Sequence, residues 1–340
     1  MTTETTQKRR ERIDRGIKVR SESLYALNSF EEIAYLLTPR VLLIAAFVLM
    51  PLILSPWPYW GRVGLSVCIL ALLSISFDFL ANYVGLVSLG GAFFYGVGGY
   101  MAAVLNTELG LPPVLSIPVA TLLGAGFCTL ALLPCLPLRG IYFAIVTLMY
   151  PLLMTRIIEA FDILGGTEGF RGIDGFSGFF TEQYGLILAM FIALFGLRRF
   201  VNMDGGLVIR AVKDNDQSVR ASGISVTRTK AKAVFLASLT GCFAGAYYIH
   251  MYSNVGISSF ALDLSIMPIA ATIIGGAGTL VGPVLGAAIL VPLSEFLRDF
   301  GSLRIVVYAL VLTGFVVFRS EGLMNYMTRK YQQVERWVKI

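Results

Sequence analysis

Ten apolar blocks divided by short polar breaks leave this chain few ways to fold. They cover residues 41–55, 63–83, 86–105, 114–136, 140–158, 184–200, 231–252, 264–275, 283–297 and 303–318. A helix that crosses a bilayer needs about 20 apolar residues, and somewhat fewer when its ends snorkel. The composition agrees: of 340 residues 56% are hydrophobic and only 14% charged, where soluble domains are about a quarter charged. Disorder is excluded, and a soluble globular enzyme does not fit. The expectation is an all-α polytopic membrane helix bundle of about 8–10 transmembrane segments. Some of these segments should be Gly-broken or re-entrant, because several blocks are short and rich in Gly and Pro.

The charges give the bundle a direction. Segments 1–40, 198–232 and 319–340 hold 21 of the 27 Lys and Arg and 11 of the 21 Asp and Glu, a net +10. The rest of the chain therefore carries −4 of the overall +6. Basic residues flanking apolar blocks mark cytoplasmic loops, so topology explains the basic balance without nucleic acid. With both termini cytoplasmic, six crossings return the chain to the cytoplasm at Arg198. The 159–183 connection then lies outside. It carries Glu159, Asp162, Glu168, Asp174 and Glu182 against Arg171 alone. Between 232 and Arg319 an even number of crossings is needed, so 264–297 must cross twice or re-enter.

The ends and the reactive residue types add little chemistry. Residues 1–23 are polar, with no apolar signal-peptide core. Leu24, Leu27, Phe30, Ile33, Ala34 and Leu37 recur at helical spacing, suiting an amphipathic helix in the membrane interface or one packed on the protein's own cytoplasmic side. The organisation expected is an amino-terminal cytoplasmic or interfacial segment (1–40), a transmembrane domain (41–318) with a cytoplasmic loop at 201–230, and a cytoplasmic tail (319–340). Cys68, Cys128, Cys135 and Cys242 all fall in apolar blocks without Cys-x-x-Cys spacing, so neither a metal site nor a disulfide framework follows. His250, the single histidine, is expected at the outer end of a span. No catalytic constellation and no Walker lysine loop is present, so any ATP hydrolysis must come from another chain.

Three features are candidates for function. Asn82 to Tyr100 contains six glycines in 19 residues, and Gly275-Gly276-Ala277-Gly278-Thr279-Leu280-Val281-Gly282-Pro283 interrupts a later block. Paired Gly-rich breaks point to a transporter's pathway, or to close helix packing alone. Ser88, Gly90, Gly91, Phe94, Tyr95, Gly275, Gly276 and Gly278 are the pathway candidates. Asp78 joins them as a carboxylate in an apolar run. It is expensive there unless it meets substrate, bonds a neighbouring helix or reaches water at the span's end. In the 201–230 loop, Asp214-Asn215-Asp216 should join two short helices, since these side chains favour turns and N-caps. Gly223 suits the left-handed position that closes the second helix. Such exposed helices can dock on a partner, and Arg210, Asp214, Asp216, Arg220 and Gly223 are the candidate contact residues.

With these residues in view, the chain resembles the M-type membrane permease subunits of branched-chain amino-acid ABC importers. The resemblance runs from about Ile75 to Leu297. It rests on Tyr83–Gly90, Arg139–Leu148, Leu164–Gly169, the Ala221-x-Gly223 end of the loop and Ile274–Gly286, in that order. It implies a homologous second permease, two cytoplasmic ATPases that carry ATP and Mg, a periplasmic substrate-binding protein and alternating access in the inner membrane. It implies no cofactor on this chain and makes 201–230 the ATPase-coupling loop. Gly91 stands where many members have His, and Asp78 where Asn is common. Related systems carry urea, short amides or aromatic compounds, which are the alternative substrates. An ion-coupled secondary transporter is the reading the Gly breaks and Asp78 would otherwise favour.

Overall fold

A computed structural model describes residues 8–12, 30–138, 140–176, 178–298, 310, 313–315, 317, 322–332 and 335–339. The expected span at 303–318 lies almost wholly outside the described residues, as does Arg139. The helices are α1 (Phe30–Leu54), α2 (Pro58–Asp78, continued by a π-helical turn Phe79–Val84), α3 (Gly91–Thr107), α4 (Pro113–Leu132), α5 (Ile141–Phe161), α6 (Phe179–Val201), α7 (Asp204–Asp214), α8 (Asp216–Ala221), α9 (Val226–Tyr252), α10 (Asp263–Gly275), α11 (Gly282–Phe296) and α12 (Leu323–Gln332). Two short antiparallel ladders pair β1 (Lys8–Arg12) with β4 (Glu335–Lys339) and β2 (Phe170–Arg171) with β3 (Asn254–Val255). The architecture is an all-α polytopic membrane bundle.

Two expected boundaries change. Where separate helices were expected at 24–37 and 41–55, Phe30 to Leu54 is one continuous helix, and 24–29 lie outside the described residues. The block 86–105 becomes helical only at Gly91. The run from Gly85 to Gly90 is irregular because Gly85, at φ +78°, ends the π-turn in a left-handed conformation that costs glycine little.

The centre of the bundle is α2, whose residues from Val63 to Ser76 are almost all buried. Its polar side chains are satisfied by neighbouring backbone: the Ser76 hydroxyl donates to Ala237 O at 2.8 Å, and Thr272 Oγ1 donates to Ser74 O at 3.3 Å. These bonds tie α2 to α9 and α10 in a setting where an unsatisfied group would be costly. Packing between helices is set by small residues. A side chain at Gly98 would overlap the backbone of Cys242, and one at Gly245 would overlap Tyr95 O, so α3 and α9 meet backbone to backbone. Residues 95 and 99 face 245 and 249, which makes these two helices parallel.

By contrast, α5 is covered on little of its surface. Ile141, Tyr142, Ile145, Met149, Leu152 and Leu153 form an exposed apolar stripe, as on a helix facing lipid or another membrane protein. The late Gly-rich block forms a hairpin: α10 and α11 run antiparallel, Gly275 against Gly282 and Gly286 against Ala271. With 13 and 15 residues, they span only about 20 and 22 Å at 1.5 Å per residue, short of the ~30 Å hydrocarbon core.

Candidate functional site

One end of the bundle carries α7 and α8, and local sequence chemistry fixes their shape. Asn215 caps α8, its Oδ1 accepting from Gln217 N at 3.0 Å and Ser218 N at 3.2 Å. Gly223, at φ +82°, closes the same helix. Gly223 N donates to Arg220 O, and Ile224 N to Val219 O, the bonding of a Schellman motif. Val212, Val219 and Val226 bury together and bind α7, α8 and the start of α9 into one unit. An Arg220–Asp216 ion pair at 3.7 Å bridges one turn of α8. Leu207 on α7, Met203 at its N-cap and Ile224 beyond α8 remain exposed.

This unit touches the bundle through α7. Lys213 Nζ donates to Asn82 O at 2.7 Å, and the Arg210 guanidinium lies 5.5 Å from the centre of the Tyr83 ring. Both residues met belong to the π-turn below Asp78. Asp78 itself is buried, and neither of its oxygens is left over. Oδ1 accepts from Gly278 N at 2.7 Å and Asn82 Nδ2 at 2.7 Å, and Oδ2 accepts from Leu280 N at 3.0 Å. Tyr83 Oη donates to Gly278 O at 2.7 Å. The carboxylate thus holds the tip of the α10–α11 hairpin, where Gly276 and Gly278 take φ of +116° and +78°. On the tip's other side, Gly276 lies against Gly322 and Asn325 Nδ2 donates to Ala277 O at 3.3 Å.

The remaining pathway candidates meet deeper in the bundle. The first turn of α3 abuts the first turn of α10: Ala92 N donates to Ser265 Oγ at 3.0 Å, and a Cβ at Gly91 would sit 2.9 Å from Leu264 O. Gly90 N donates to Ser88 Oγ, and Leu89 N to Thr147 Oγ1 of α5. Two helices therefore begin side by side inside the bundle, with α5 next to them. Phe94 and Tyr95 do not join this junction. They are buried against α9 at Gly241 and Gly245, and Tyr95 packs on Tyr248 at 5.5 Å between ring centres. Gly275 serves the α10–α11 contact. Among the described residues, no group of three His, Cys, Asp or Glu could hold a metal ion, and the four cysteines are buried and free.

At the opposite end, the acidic 162–178 segment is anchored where Asp174 meets the buried Asn106, Ser116 and His250. Asn106 Nδ2 donates to Asp174 Oδ2 and Asp174 N to Asn106 Oδ1, both at 3.0 Å. His250, placed at that end of α9, bonds Asp174 O at 2.7 Å and Ser116 Oγ at 3.2 Å. Several members of these sites were not singled out from sequence. Lys213 had a usable signal, since it shares a helix face with Arg210 three residues earlier. Thr147 lay within a stretch already quoted. Tyr83 likewise opened a stretch already quoted, whereas Ser265 and Asn106 had no signal, because the partners that matter here are 173 and 68 residues away in the chain.

Apolar helices long enough to cross a membrane, two short broken segments and a compact helical unit at one end define a polytopic membrane bundle of the kind that permeases are built from. The profile of the family described as branched-chain amino acid transport system / permease component matches residues 61–319. The chain belongs to that family. It is 28% identical over 309 residues to the high-affinity branched-chain amino acid transport system permease protein LivM of Salmonella typhimurium, covering 80% of this chain and 72% of the relative. It is 25% identical over 236 residues to the probable branched-chain amino acid transport permease protein LivM of Methanocaldococcus jannaschii, covering 61% and 68%. To the probable LivH of the same archaeon it is 28% identical over 211 residues, covering 57% and 66%. No solved structure matches the chain.

Proposed function

We propose that this chain forms the pathway of an importer for branched-chain amino acids, driven by two separate ATPase subunits that dock on α7 and α8. The observation that carries the reading is the α7–α8 unit: compact, exposed, with apolar Leu207 and Met203 beside Arg210 and Arg220, and joined to the bundle through Lys213 and Arg210. Such a surface suits a groove on a partner. Its basic flanks favour the cytoplasmic side, where both termini would also lie. ATP and Mg belong to the ATPases. A homologous second permease completes the pathway, in keeping with likeness to both LivM- and LivH-named relatives. A periplasmic binding protein delivers substrate to the end that carries the acidic 162–178 segment.

In this mechanism the ATPases bias one conformational equilibrium and substrate delivery biases it from the other side. The junction of α3 and α10 at Gly91 and Ser265 is the part of the pathway that changes access. The test is the complex in proteoliposomes with ATP inside. Labelled leucine, isoleucine or valine, presented with the binding protein, should accumulate and stimulate ATP hydrolysis. Uptake of urea, short amides or benzoate in their place would overturn the substrate assignment. Uptake driven by a proton or sodium gradient without ATP would overturn the class of mechanism.

A further inference from the structure

We infer that Asp78 and the π-helical turn Phe79–Val84 are the rigid link through which α7 moves the α10–α11 hairpin. The inference rests on the reading of α7–α8 as the ATPase-docking unit. Three layers meet at this end of the bundle, and the middle one touches both others by specific polar contacts. Toward α7, the π-turn offers Asn82 O to Lys213 and the Tyr83 ring to Arg210. Toward the hairpin, it offers the Tyr83 hydroxyl and, one turn earlier, the Asp78 carboxylate.

The hairpin tip needs such a partner. Gly276 N still donates to Thr272 O of α10, but Ala277 to Val281 lie outside both helices, and Leu280 is held at φ +58°, which an L residue rarely adopts. Asp78 accepts from Gly278 and Leu280, so one side chain of α2 fixes the conformation of a loop some 200 residues further on. A π-turn at this place is itself telling, since such irregularities cost helix stability and concentrate at working sites.

What the tip does is carried along α10. That helix is short and packed against α11 through backbone contacts, so it moves as a rod. Its other end is the Leu264–Ser265 turn, which touches Gly91 and Ala92 at the start of α3. A displacement of α7 therefore reaches the interior junction through a chain of named contacts: Lys213, Asn82, Asp78, Gly278, α10, Ser265. Asp78 and Lys213 are positioning residues here. They act on the pathway without lining it.

The experiment measures leucine transported per ATP hydrolysed by the assembled complex. Asp78→Ala should lower that ratio at least tenfold while ATP hydrolysis stays within about threefold of wild type, the range of an allosteric coupling that has been cut. A second variant adds back the link. A Cβ at Gly278 would lie 3.8 Å from Asn82 Cβ, the mean separation across a disulfide, about 3.8 Å. Gly278 takes φ +78°, so the reference is Asn82→Cys/Gly278→Cys with Asp78 intact, which carries the same backbone strain; oxidised Asp78→Ala/Asn82→Cys/Gly278→Cys should recover to within about threefold of that reference and lose this again on reduction. Lys213→Met, at an exposed position, should lower the ratio about threefold without loss of assembled complex, and it decides the matter if Asp78→Ala does not fold. An unchanged ratio, hydrolysis and transport falling in parallel, or no recovery on oxidation overturns the link. A wild-type complex without leucine-stimulated hydrolysis overturns the docking reading as well, so the two failures are distinct.

Discussion

Gly223 gives the cleanest test of how the α7–α8 unit is held. Its φ of +82° lies in the left-handed region, and nothing comes within 4 Å of a Cβ built there. A side chain at 223 is therefore penalised by backbone conformation alone. That penalty is about 1–2 kcal/mol for an ordinary L residue, and larger for a β-branched one. Asn adopts the same conformation readily. Because α8 has only six residues, far fewer than an isolated helix needs, the cap is a large part of what holds it. A loss of 1–2 kcal/mol changes a local folded-to-unfolded ratio by a factor of about 5–30, and docking affinity falls with the fraction still competent.

The series Gly223→Asn, Gly223→Ala and Gly223→Val should thus weaken ATPase binding progressively. The Asn variant should stay near wild type, Ala should lose about 5–30-fold, and Val should lose more. Titrating the ATPase onto the permease in nanodiscs reads this directly, and the yield of inserted protein should be equal throughout. Equal affinity across all three variants would refute the conformational argument. An Asn variant as weak as Val would mean instead that the partner's surface excludes any side chain at this point.

Three further outcomes follow from the packing. Gly98→Ala should destabilise the detergent-solubilised protein by about 1–3 kcal/mol, because its methyl meets the Cys242 backbone; Gly196→Ala, inside α6 with nothing within 4 Å, should leave thermal stability equal or raise it by up to about 1 kcal/mol. Tyr100 stacks on Phe260 with ring centres 5.6 Å apart, and its buried hydroxyl has no hydrogen-bond partner among the described residues. Tyr100→Phe should therefore leave stability equal or raise it by up to about 1–3 kcal/mol, with leucine uptake retained; lost uptake would give the hydroxyl a role in the pathway. Asn106→Ala removes both partners of Asp174 on α3. It should loosen the 162–178 segment and weaken binding-protein affinity, measured by titration, with the affinity for ATPase unchanged.

Much of the architecture was legible in the sequence because it follows from local rules. Apolar runs near bilayer length place most of the spans. Asp214-Asn215-Asp216 breaks α7 from α8 because Asn caps readily, and Gly223 ends α8 because glycine takes positive φ cheaply. The beginning of α3 was misplaced by five residues, since an apolar run reads alike as helix or as irregular chain buried in protein. Which of the glycines serve packing was hidden for a related reason: Gly98 and Gly245 look like Gly90 until their neighbours are known.

Class, family and the outline of the α7–α8 unit were thus determined by the order of residues along the chain, through spacing, charge and a few conformationally demanding positions. Only the tertiary structure decided what Asp78 does. In sequence it is a carboxylate in an apolar run, suited to a neighbouring helix or to water at the span's end before substrate, with nothing to name the partner. Its three partners are one side chain a turn away and two backbone N–H groups 200 and 202 residues further on. Backbone donors carry no residue identity, so no sequence pattern could announce them, and only folding brings them to the carboxylate.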